Sequence, residues 1–115
     1  MKAITWIAML IVTIVMLMGG IMKLTGNEMA MASFAVLGLP ALFGTFIGFC
    51  EIAGALGIWY RPTSRLATMG IAAIMLGAIY YHVMHTPITE GIPAMVVLAC
   101  CGWLLSRKGV GLFGG

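Results

Sequence analysis

The sequence predicts an all-α integral membrane protein. It is a four-helix bundle with a short interfacial segment between helices 1 and 2. Three observations carry this. Of 115 residues, 63% are hydrophobic and only 8% are charged, whereas an average soluble domain carries about 25% charged residues. The mean hydropathy is +1.15. The apolar residues fall into four continuous runs rather than alternating patterns. Lipid is therefore the expected solvent, and only helices or closed barrels span lipid.

A bilayer core of about 30 Å needs roughly 20 helical residues. The first run, 3–22, carries no charge. It exceeds the usual apolar region of a signal peptide, about 7–15 residues, and the first A-x-A, Ala30-Met31-Ala32, lies well beyond it. A retained span is expected. The second span, 40–59, opens at Gly38-Leu39-Pro40, with proline suited to a helix start. The third is 66–85. The fourth, 88–106, is short, with Glu90 at its interface. The chain is read as one four-span domain, 1–115.

The connectors differ in length. Arg61-Pro62-Thr63-Ser64-Arg65 is expected as a tight turn, and Thr86-Pro87 begins another. Residues 24–39 form the long connector. There Asn27 is placed to cap a short helix with Met29, Ala32, Val36 and Leu37 on one side, lying at the membrane surface. The glycine-rich tail, 109–115, is expected to fray.

Basic residues near span ends set orientation. Lys2, Arg61, Arg65, Arg107 and Lys108 fall on one side. Lys23 falls on the other, with Glu28 and Glu90. The bias predicts an inner (cytoplasmic) membrane protein, multi-pass, with N- and C-termini in the cytoplasm. Trp6, Trp59, Tyr60 and Trp103 then lie near the inner interface, and Phe34, Tyr80 and Tyr81 nearer the outer one. The +3 net charge is too dispersed to make the basic patch that nucleic acid requires.

Glu51 is the informative residue. It sits eleven residues from Pro40 and ten from Arg61, about 16 Å from the outer end of its helix. An acidic side chain at that depth costs about 3 kcal/mol on insertion scales, so it is expected to face the bundle interior. Gly44, Gly48, Glu51 and Ala55 share a face at i, i+4, i+7 and i+11. Gly44-x-x-x-Gly48 is a small-residue stripe that admits a neighbouring helix. Glu51 is thus expected in a packed site, protonated or hydrogen-bonded. Two readings stay open: a structural anchor between helices, or a working carboxylate in a pocket open to the outer leaflet between helices 2 and 3.

The other polar candidates are few. His82 and His85 are three apart and share a helix face. They lack a third ligand at a set spacing, so no metal site is assigned. By rise per residue, His82 lies about 6 Å from the outer helix end, leaving about 10 Å of depth between it and Glu51. Water or a ligand head group is expected in that gap, with Thr13 and Cys100 nearer Glu51 in depth. Lys23 ends the first helix and either snorkels outward or lines an outer mouth. Cys50, Cys100 and Cys101 lie inside apolar runs, with no C-x-x-C. They are read as small buried hydrophobes.

Three segments together resemble the DoxX-like family of small four-span membrane proteins. They are "GGIMKL" at 19–24, "LGLPALFGTFIGFCEIAGALGIW" at 37–59 and "RPTSRLATMGIAAIMLGAIYYH" at 61–82. The acidic residue in the second span, followed by the arginine-bearing segment, is the most specific part. The resemblance covers almost the whole chain and implies a four-helix bundle with both termini inside. Relatives have been linked to quinone-dependent oxidation, to membrane redox complexes and to assembly of other membrane proteins. The missing C-x-x-C counts against thiol–quinone chemistry.

Two functions follow as expectations. One is an accessory or scaffold subunit of a membrane complex, whose partners are the lipid bilayer and other membrane-protein subunits or a homo-oligomer. The eleven methionines supply adaptable apolar surface for that role. The other is an oxidoreductase subunit that binds a lipophilic ligand, with Glu51, His82, His85 and Lys23 as candidate ligand-binding or functional groups. No cofactor motif is evident; a bound quinone or lipid is the ligand class left open.

Overall fold

The computed structural model describes residues 2–107 and 110–112. Among them the fold is all-α. In chain order it comprises α1 (Ala3–Leu24), α2 (Glu28–Val36), α3 (Ala41–Gly57), α4 (Arg61–His85), a 3-10 turn (Ile88–Gly91) and α5 (Ile92–Leu105). α1 and α4 are long and apolar enough to cross a membrane. α3 and the segment Thr89–Leu105 are apolar but shorter.

Local chemistry sets the breaks. α1 runs uninterrupted because nothing from 3 to 24 is proline or acidic. It stops at Gly26, whose φ is +74°, a left-handed conformation that glycine adopts without Cβ strain. The Gly26 amide then donates to the Lys23 carbonyl and the Asn27 amide to that of Met22, closing the helix end in a Schellman arrangement. Gly38 repeats the device at the end of α2. Between them Asn27 caps α2, its side-chain oxygen accepting from the Met29 and Ala30 amides. α2 packs on α3 through a different face from the one that carries Met29, Ala32, Val36 and Leu37. Met31 and Phe34 meet α3 at Gly44, while Met29 and Val36 are exposed.

Two other boundaries depart from expectation. Arg61–Arg65 is not a turn but the first turns of α4, with Pro62 at its start. Proline lacks only an amide proton that a helix start leaves unused, so the turn shortens to Ile58–Tyr60. The fourth segment divides because Pro93 opens α5, leaving Ile88–Gly91 as a 3-10 lead-in.

The tail is the third departure. Val110 is buried. The Leu112 amide donates to the Trp59 carbonyl at 2.9 Å, and Arg61 Nε donates to the Gly111 carbonyl at 3.0 Å. This stretch therefore docks on the α3–α4 turn. Lys108, Gly109 and 113–115 lie outside the described residues.

The core is built by Met9, Val12 and Met16 of α1, Ala55 and Ile58 at the end of α3, Ile71 and Met75 of α4, and Val97, Cys101 and Leu104 of α5. Two indoles pin it. Trp59 Nε1 donates to Thr13 Oγ1 at 2.8 Å, and Trp103 Nε1 donates to Thr5 Oγ1 at 3.1 Å. Thr13 thus serves Trp59, deeper toward the α1 N-terminus than Glu51.

Candidate functional site

α1 and α3 run antiparallel and meet through glycines. A Cβ on Gly20 would lie 2.8 Å from the Gly48 carbonyl oxygen; one on Gly48 would lie 2.9 Å from Lys23 Cβ. A Cβ on Gly19 would lie 2.6 Å from Glu51 Oε2. The absence of side chains at these positions lets the backbones approach and brings the Glu51 carboxylate over α1. The buried residues of α3 are Gly44, Gly48, Glu51 and Ala55, which lie on one face.

Lys23 completes the site. Its Nζ lies 2.7 Å from Glu51 Oε1. The Glu51 side chain is 2% exposed and that of Lys23 17%. Lys23 therefore turns inward to Glu51 instead of snorkelling outward. Helical side chains tilt toward their own N-terminus. On antiparallel helices the two tilts converge: Lys23 leans back along α1 while Glu51 leans back along α3. By depth alone, Glu51 at about 16 Å from the outer end of its helix lies well below Lys23 at the end of α1 if the two helix ends are level. Instead the first turns of α3 pack beside α2, through Gly44 against Met31 and Phe34. Glu51 thereby comes within reach of Lys23.

The two histidines belong to another place. His82 Nδ1 and Thr86 Oγ1 are 2.9 Å apart, and the His82 Cβ lies 3.1 Å from the position a Cβ on Gly91 would take. Tyr81 contacts both imidazoles edge-on or tilted, at 5.4 Å from His82 and 5.3 Å from His85. Neither meets Glu51. Among the described residues no group of three or more His, Cys, Asp and Glu could hold a metal ion. All three cysteines are free; Cys101 is buried and Cys50 and Cys100 are half-buried.

The seam has defined chemistry. A buried ion pair forfeits hydration, and removing one partner leaves a charge without compensation. Pairing Glu51 with a cation of its own chain fixes the register of α1 against α3. The signal that reveals this in a sequence is joint: a Gly-Gly-x-x-Lys at the end of one helix and a Gly-x-x-Glu within the next.

Neither the curated proteins nor the solved structures give a match. The model of the DoxX-like family matches residues 7–105, which takes in α3, α4 and the Lys23–Glu51 seam. The chain is a small membrane protein that belongs to the DoxX-like family.

Proposed function

We propose that this chain is an accessory subunit, a scaffold in the cytoplasmic membrane against which other subunits or further copies pack. In this reading α1, α3, α4 and the 3-10–α5 segment span the bilayer. α2 lies at the outer surface and the termini face the cytoplasm. The observation that carries the proposal is the closure of Glu51. The carboxylate that a ligand would need is bound by Lys23 of the same chain at 2.7 Å, is 2% exposed and lies against Gly19 of α1. A group so engaged positions helices rather than substrate.

Affinity purification followed by native mass measurement in lipid tests this. A protein subunit or second copy is expected at defined stoichiometry, and the Lys23→Met/Glu51→Leu variant should still retain it. A monomer with no protein companion contradicts the reading. For the topology, cysteines introduced at positions 2 and 63 should be shielded from an impermeant thiol reagent outside intact cells, and one at 27 should label; the reverse pattern inverts it.

The second reading is a quinone- or lipid-binding oxidoreductase subunit. What favours it is an open apolar cleft of about 570 Å3 along α3, lined by Pro40, Leu42, Phe43, Phe46 and Phe49. A quinone retained through purification and lost on Phe46→Ala supports that reading over the first.

A further inference from the structure

The second concentration of polar groups lies at the other end of the bundle, where α4 begins and α5 ends. A cleft of about 260 Å3 opens there, lined by Arg61, Ser64, Arg65, Thr68 and Arg107. Three arginines line one small space, and no acidic residue is among its described lining. The three acids of the chain are elsewhere. Glu28 opens α2 and Glu90 lies in the 3-10 turn beyond the far end of α4. Glu51 is paired with Lys23.

The donors are held in place. Arg107 stacks over the Trp103 ring at 4.1 Å, and its Nε donates to Ser106 Oγ at 3.2 Å. These two contacts leave its terminal nitrogens with no hydrogen bond to the described residues. Arg61 is tied through Nε to the Gly111 carbonyl, so the docked tail forms one wall. Arg65 makes no hydrogen bond or ion pair among the described residues. The positive end of the α4 dipole adds to the field.

Ser64 supplies the independent observation. The residue is 4% exposed, yet its hydroxyl makes no hydrogen bond among the described residues. Its carbonyl accepts from Thr68 Oγ1 at 2.7 Å, which uses the Thr68 proton and leaves that of Ser64 free. No fully enclosed side-chain nitrogen or oxygen in the described structure lacks a partner. The Ser64 hydroxyl must therefore reach an opening, and the cleft that it lines is that opening. The hydroxyl is thus an unspent donor at the cleft wall on an otherwise buried residue.

We propose that this cleft binds a phosphate group. Planar guanidinium forks match phosphate oxygens two at a time, and Ser64 donates to a third. The group arrives either on an anionic phospholipid of the adjoining leaflet or as a soluble phosphate. Basic pockets between membrane helices hold lipid head groups in this manner.

The test uses the full chain with two probes: phosphatidic acid in phosphatidylcholine nanodiscs, and inorganic phosphate added to protein in zwitterionic detergent. Binding is read by native mass for the lipid and by Trp fluorescence for phosphate. The parent should bind at least one probe about tenfold or more tightly than Arg65→Gln/Arg107→Gln, the loss expected from removing charge-assisted bonds. Lys2→Gln, a basic change outside the cleft, should bind as the parent does. Retention of lipid alone assigns the group to a phospholipid, and response to phosphate alone assigns it to a soluble ligand; both uphold the site. Should the double arginine variant fail to fold, Ser64→Ala decides, with binding weakened severalfold. No binding of either probe by the parent, or equal binding by parent and folded variants, overturns the proposal.

Discussion

The molecule handles charge in two opposite ways at its two ends. At the α1–α3 seam a buried carboxylate and a half-buried ammonium are matched one to one, with glycines at the contact that let the two helices approach. Where α4 starts, three arginines line a cleft that contains no acid side chain. The first arrangement is closed, and its chemistry is spent within the chain. The second is open, and its chemistry points outward. In a chain with so few charges, the most deeply placed ionisable residue need not be the one that meets a ligand.

The comparison breaks most easily at the seam. Lys23→Met leaves Glu51 buried without its cation and is expected to cost about 3–5 kcal/mol, read as a large fall in melting temperature in detergent. A fall no larger than that for Arg65→Gln would remove the distinction between the ends.

Next in size is the glycine contact. Gly48→Leu forces a side chain onto Lys23 Cβ and the Gly20 carbonyl, and overpacking of this kind costs about 1–3 kcal/mol. Gly77→Leu, where an added Cβ meets nothing within 4 Å, should leave the melting temperature almost unchanged. Equal behaviour of the two would show that α1 and α3 do not meet through Gly48.

Thr13→Val removes the acceptor for Trp59 Nε1 while leaving the seam intact. Its expected cost is about 1 kcal/mol, additive with changes at Lys23. The smallest effect belongs to the open end. Arg65→Gln should shift stability by less than about 0.5 kcal/mol, because that exposed side chain makes no hydrogen bond or ion pair among the described residues. A large loss of stability there would mean that the arginines brace the fold.

Much of the fold was legible in sequence. Continuous apolar runs gave the helices, and Asn27 before Glu28 marked the start of α2. The spacing of Gly44, Gly48, Glu51 and Ala55 placed them on one face before any packing was visible. The Lys23–Glu51 contact was not legible from depth alone. Counting from Pro40 treats both helix ends as level, whereas α2 occupies the space beside the first turns of α3 and shifts the register. The arginine cleft was hidden for another reason. Arg61–Arg65 reads as a turn by composition, and the docking of Gly111 and Leu112 on Trp59 and Arg61 is a long-range contact that a glycine-rich tail does not announce.

Glu51 and Lys23 act as one closed unit. A double-mutant cycle measured by reversible unfolding in lipid nanodiscs tests it most directly, comparing the parent with Lys23→Met, Glu51→Leu and the combined variant. The account expects each single change to destabilise and the combined variant to return close to the parent, since replacing both members of a buried pair by apolar groups is often neutral or stabilising. The expected coupling is about 3 kcal/mol or more, at the upper end of the range for residues in direct contact. Strictly additive losses, with the double variant the least stable of the four, would contradict it.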